Sequence, residues 1–134
     1  MPVYLGSCHC GGVGFEVDAV LSEVIICDCS ICSKRNAAMV VVDTDSIHVT
    51  RGADLLTVYS WNTHTAKHNF CKHCGIYMFH RTRTLPGKSG VNVMCLDSLE
   101  RKALPVRAVH GSELSLANPI DGSCAPLQGC RAIS

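Results

Sequence analysis

Two cysteine pairs set far apart in the chain, "SCHCGG" near its start and "FCKHCG" in its middle, constrain the fold more than any other feature. Cys8 and Cys10 are separated by one residue and Cys71 and Cys74 by two, and a glycine, Gly11 or Gly75, follows each pair. A short turn with a cysteine at each end aims two thiolates at one point, and the glycine frees the backbone to fold back. Four thiolates suit zinc, which has no geometric preference of its own and accepts a tetrahedron of sulfur. The spacing therefore points to one structural zinc held by Cys8, Cys10, Cys71 and Cys74, joining the first strand to the middle of the chain. Spacing alone leaves two alternatives open. The cysteines could be small buried apolar groups. Cys71 and Cys74 could instead form a redox pair, although that motif ordinarily begins a helix and "GIYMFH" reads as a strand.

How the ten cysteines are used depends on the compartment. The start, "MPVYLGSCHC", has no basic flank and no long apolar stretch, so no secretory signal is expected. A reducing, cytoplasmic setting follows, in which cysteines more often bind metal or react than form bridges. The chain has 134 residues, 12 basic and 11 acidic side chains and a formal charge of +1. That length suits a single domain spanning residues 1–134, as a monomer or homodimer. The charge balance gives no long-range attraction to nucleic acid or anionic lipid, and no apolar run reaches membrane-spanning length.

The patterning is mainly β. "VGFEVDAVLSEVIIC", "AMVVVD", "SIHVT", "LLTVYSW", "TAKHNF", "GIYMFHR", "GVNVMCL" and "VRAV" read as strands. Helix signal is thin: one turn in "SICSKRN", and two in "DSLERKAL" capped by Asp97 or Ser98. "TRTLPGKSG" reads as a loop. The tail from about Asn118 is rich in proline, glycine and small residues, which suits a surface-wrapping or frayed segment.

A third cluster, "ICDCSIC", places Cys27, Cys29 and Cys32 within six residues. Three ligands with one open position is the arrangement of a catalytic-type zinc, in which water or substrate fills the vacancy. Such an ion would suit a thiol or a hydrated carbonyl. If Cys95 or a histidine closed the sphere, the site would be structural. Cys95 on the apolar run "VNVMCL" reads as core, and Cys124 and Cys130 in the tail have no assigned role.

Around these cysteines, Asp28 could accept a hydrogen bond or act as a base, and His68 or His80 could be an interior histidine or a proton shuttle. Lys34 and Arg35 follow the cluster and could bind the carboxylate of a thiol substrate. Arg81 and Arg83 would matter only if their loop folds over the site. His9 and His73 alternate with ligands and so should point away from the metal.

Taken together, "GSCHCGGVGFEV", "CDCSICSKRNA", "HNFCKHCGIYMFH" and "GVNVMCLD" resemble the glutathione-dependent formaldehyde-activating enzyme family, which shares its domain with centromere protein V. The resemblance implies stacked, twisted antiparallel sheets of the β-tent kind. It also implies structural zinc at Cys8, Cys10, Cys71 and Cys74 and a second, more exposed zinc at Cys27, Cys29 and Cys32, which three ligands would hold less tightly than four. It further implies carbon–sulfur lyase chemistry on S-hydroxymethylglutathione, formed from glutathione and formaldehyde. Asp28 stands where the family often has histidine. A non-catalytic, zinc-braced binding module or a thiol sensor fits the same residues, and an open position at the second zinc is what separates these readings.

Overall fold

The structure, a computed structural model, describes residues 2–110 apart from Asn36, Asn62, Thr84, Ser98 and residues 100–103. Strands β1 (Val3–Ser7), β2 (Gly14–Asp18) and β5 (Ile47–Arg51) form an antiparallel sheet in the order β1-β2-β5. The larger sheet contains β3 (Val24–Cys27), β4 (Ala38–Asp43), β6 (Leu56–Tyr59), β7 (Lys67–Cys71), β8 (Tyr77–Arg81), β9 (Lys88–Asn92) and β10 (Val106–Val109). Its order is β10-β3-β4-β9-β8-β7-β6. The one α-helix among the described residues is α1 (Ser30–Arg35), the single turn expected after the three-cysteine cluster. No helix among them is long and apolar enough to cross a membrane.

Period-two patterning explains how these strands pack. In β2, Phe15 and Val17 are buried, Glu16 is half-buried and Asp18 is exposed. Val40 and Val42 of β4, Met78 of β8 and Val91 of β9 are buried in the same cluster as Phe15 and Val17. The two sheets therefore share one core. The Phe15 ring meets Phe79 of β8 edge-on across it, with centroids 5.3 Å apart.

Three details depart from the sequence reading. The sheets are not wholly antiparallel, because β10 lies parallel to β3. A hairpin forces neighbouring strands to run antiparallel, and strands this far apart in sequence are under no such constraint. The run "GVNVMCL" is not one strand, for β9 stops at Asn92 and Val93–Cys95 form a 3₁₀ turn. Asn92 ends the strand by accepting the Met94 amide on its side chain at 3.1 Å, which competes with the ladder. The loop around "TRTLPGKSG" is shorter than expected, since Lys88, Ser89 and Gly90 already belong to β9. The helix expected in "DSLERKAL" falls largely, and the tail from Asn118 wholly, outside the described residues.

Candidate metal centres

The first thiol group is built from two similar turns. Cys8 and Cys10 lie just beyond β1, Cys71 ends β7, and Cys74 sits in the turn to β8. The Cys8 amide donates to the Val13 carbonyl at 3.1 Å, and the Cys71 amide donates to the Ile76 carbonyl at 3.0 Å. Gly11 and Gly75 both have positive φ, 78° and 77°, where a Cβ would be strained. The four Sγ atoms lie within 4.8 Å of one another. Because β1 and β7 belong to different sheets, this group clasps the sheets together.

The second group follows β3. Cys27 ends that strand, Cys29 precedes α1 and Cys32 lies within it. The Ser33 amide donates to the Cys29 carbonyl at 2.9 Å and closes the turn. These three Sγ atoms also lie within 4.8 Å of one another, and no fourth cysteine, histidine or carboxylate joins them among the described residues. Cys95 belongs to neither group. It is buried in the 3₁₀ turn, with its thiol 3.5 Å from the Tyr77 carbonyl.

Sulfurs held this close cannot all ionise without a cation. Cys32 is pushed far up by the sulfurs of Cys27 and Cys29, and Cys29 is raised chiefly by Cys27. In the other group, the Gly12 amide favours the Cys10 thiolate but its sulfur neighbours win, pushing it up to about 11. Burial opposes ionisation of Cys74, but the amides of Cys10 and Ile76 pull it down to about 6. A soft divalent ion resolves this repulsion, and both donor sets fit zinc. The described cysteines are all free thiols.

The second group opens into a cavity of about 460 Å³. Cys27, Cys29 and Cys32 line it together with His68, His80 and Arg83. His68 on β7 stands opposite His80 on β8 in the ladder, and their rings stack at 5.0 Å. Arg35 Nη1 lies 3.1 Å from His68 Nδ1. Guanidinium can only donate, so His68 Nδ1 accepts and the ring carries its proton on Nε2. Burial, aided by Arg35, pulls His68 down to about 4. Burial also takes His80 to about 3, with His68 and Arg35 adding to the effect. The Tyr77 hydroxyl is 2.5 Å from His80 Nδ1, and burial raises its pKa so that it keeps its proton.

Arg35 turns inward, with its guanidinium 3.7 Å from the Tyr77 ring centroid and Nη2 3.8 Å from Cys32 Sγ. Lys34 is exposed. The Asp28 carboxylate faces His110, whose Nδ1 lies 3.1 Å from Oδ2. Tyr77, Trp61 and Met39 were not among the candidates, although Tyr77 reaches His80 and the other two line the cavity. Tyr77 and Met39 are placed by cross-strand register, which linear spacing does not encode, and Trp61 lies in the segment after β6.

The pattern of the family described as "Glutathione-dependent formaldehyde-activating enzyme" matches residues 3–112. The chain belongs to this family. The glutathione-dependent formaldehyde-activating enzyme pattern covers every cysteine of both thiol groups. The chain is also similar to a Rhodobacter sphaeroides protein of known crystal structure, at 39% identity and a TM-score of 0.70. That match covers 77% of this chain and 99% of the other. Membership in the glutathione-dependent formaldehyde-activating enzyme family, together with two thiol groups able to chelate a metal, is consistent with a carbon–sulfur lyase-like role.

Proposed function

We propose that the chain is a zinc-dependent carbon–sulfur lyase acting in the cytoplasm on a thiol–aldehyde adduct of the S-hydroxymethylglutathione kind. On this reading residues 1–134 form a single domain of the β-tent type. One observation carries the proposal: three thiols converge on the wall of a large cavity, with no fourth side-chain ligand among the described residues.

Cys8, Cys10, Cys71 and Cys74 would hold a structural zinc that braces the two sheets. Cys27, Cys29 and Cys32 would hold the second ion. When bound, that zinc would lower the pKa of an incoming thiol and keep it as a thiolate. In the forming direction, the sulfur lone pair makes the S–C bond to the aldehyde carbon. The carbonyl π pair moves to oxygen, which takes up the proton given up by the thiol. Cleavage is the reverse.

His68, which lines the cavity beside the three thiols, would serve that oxygen. It is neutral, its Nδ1 is occupied by Arg35, and its Nε2–H is the remaining donor. Arg35 acts through His68 and Cys32, which its guanidinium contacts. Asp28 and His110 form the pair that would exchange protons with solvent. Lys34, exposed on α1, is free to meet a carboxylate that projects beyond the cavity.

Adduct formation and breakdown should be timed without protein, with protein and with Cys29→Ala. Thiols and aldehydes combine unaided, so the uncatalysed rate must be subtracted. Acceleration by the wild type that Cys29→Ala loses supports the proposal. Equal rates throughout would sink it and leave a zinc-braced binding module or thiol sensor.

A further inference from the structure

The cavity beside Cys27, Cys29 and Cys32 is walled mainly by hydrocarbon, with Ile25, Met39, Val41, Trp61 and Leu85 among its lining residues. No aspartate or glutamate lines it among the described residues. Two of its three histidines, His68 and His80, are kept neutral by burial.

Arg83, Arg107 and His110 also line it, and two of these three face acidic partners. Arg107 makes a bidentate pair with Glu23, with contacts of 2.9 to 3.2 Å. His110 faces Asp28. Arg83 differs from both. It forms no ion pair with a described carboxylate, the Cys29 sulfur being the group that favours its charge, and its Nη1 is buried with no hydrogen-bond partner. A buried guanidinium N–H left unpaired is costly and is satisfied best by a carboxylate.

We propose that this cavity selects a substrate with an apolar body and one carboxylate, the body lying against Trp61, Met39 and Leu85 and the carboxylate meeting Arg83. This deepens the thiol–aldehyde reading and rests on it for the reacting sulfur only. Glutathione fits these walls poorly. It carries two carboxylates and an ammonium, and the described lining holds one unpaired arginine and no carboxylate for the ammonium. Charges that enter without partners lose hydration that nothing replaces.

Trp61 is the chain's single tryptophan, so its fluorescence reports entry into this cavity, with calorimetry as a second readout. Zinc-loaded protein should be titrated with hexanoate, hexanol, ω-sulfanylhexanoate and glutathione. Hexanoate should bind about tenfold more tightly than hexanol, the size expected of a charge-assisted hydrogen bond. Arg83→Gln should abolish that preference and leave hexanol binding unchanged, while Arg83→Lys should keep part of it. Equal affinities on the wild type, or a preference that survives Arg83→Gln, would overturn the proposal. So would glutathione binding more tightly than ω-sulfanylhexanoate. The thiol should add affinity on the wild type and none on Cys29→Ala. If it adds none on either while the hexanoate preference holds, carboxylate selection stands and the thiol chemistry proposed above falls.

Discussion

Arg35 at the end of α1 and His68 of β7 meet at 3.1 Å, Nη1 against Nδ1. The contact fixes the histidine tautomer and sets a positive charge against a ring that burial already keeps neutral. Replacing Arg35 with glutamine should therefore raise the His68 pKa above about 4, followed by NMR titration of the ring protons. Stability should also fall by roughly 1–3 kcal/mol, because the Tyr77 stacking contact is lost as well. An unchanged His68 titration would show that burial alone sets its pKa.

His68 and His80 make stability depend on pH in a defined direction. An unfolded histidine titrates near 6.5, and these two titrate at about 4 and about 3 when folded. Between those values the unfolded chain binds more protons. The contribution is therefore complete above about pH 6.5 and is lost as pH falls toward 4 and then 3. Urea midpoints measured across that range should drop with acid, and His68→Phe should flatten the upper part of the curve.

The two thiol groups should respond differently to ligand loss. Cys71→Ser opens the clasp between the sheets, so it should remove one zinc per chain and lower stability by several kcal/mol. Cys29→Ser touches the group beside the cavity and should remove one zinc with a smaller loss. Metal analysis and thermal unfolding of both variants, with and without chelator, check this ordering. Equal destabilisation would assign both groups the same structural role.

Gly90 is where the histidine pair is most tightly confined. A Cβ there would come 2.6 Å from His80 Cε1 and 3.0 Å from Met39 Sδ. Gly90→Ala should cost about 1–3 kcal/mol by overpacking and leave the Cys8–Cys10–Cys71–Cys74 zinc in place. A thermal midpoint equal to that of the wild type would show that His80 moves aside freely.

Much of this molecule could be read from local pattern. The strands follow the alternation of buried and exposed residues, as Phe15, Glu16, Val17 and Asp18 show. The convergence of sulfurs follows from cysteine spacing, because a turn of fixed length allows few directions for two thiols. The same logic places one helical turn after Cys29. Neighbours across strands were not legible, because register is set by the whole sheet. His68 meets His80 and Tyr59 through strands on either side of β7. Tyr77 reaches His80, and Arg35 turns inward onto both Tyr77 and Cys32. The parallel pairing of β10 with β3 joins strands far apart in the chain. Sequence alone thus determined which residues can make thiol groups and strands, since those depend on neighbours along the chain. Tertiary structure alone decided which arginine packs inward on Tyr77 and His68 and which lines the cavity, since that depends on what packing brings within hydrogen-bond reach.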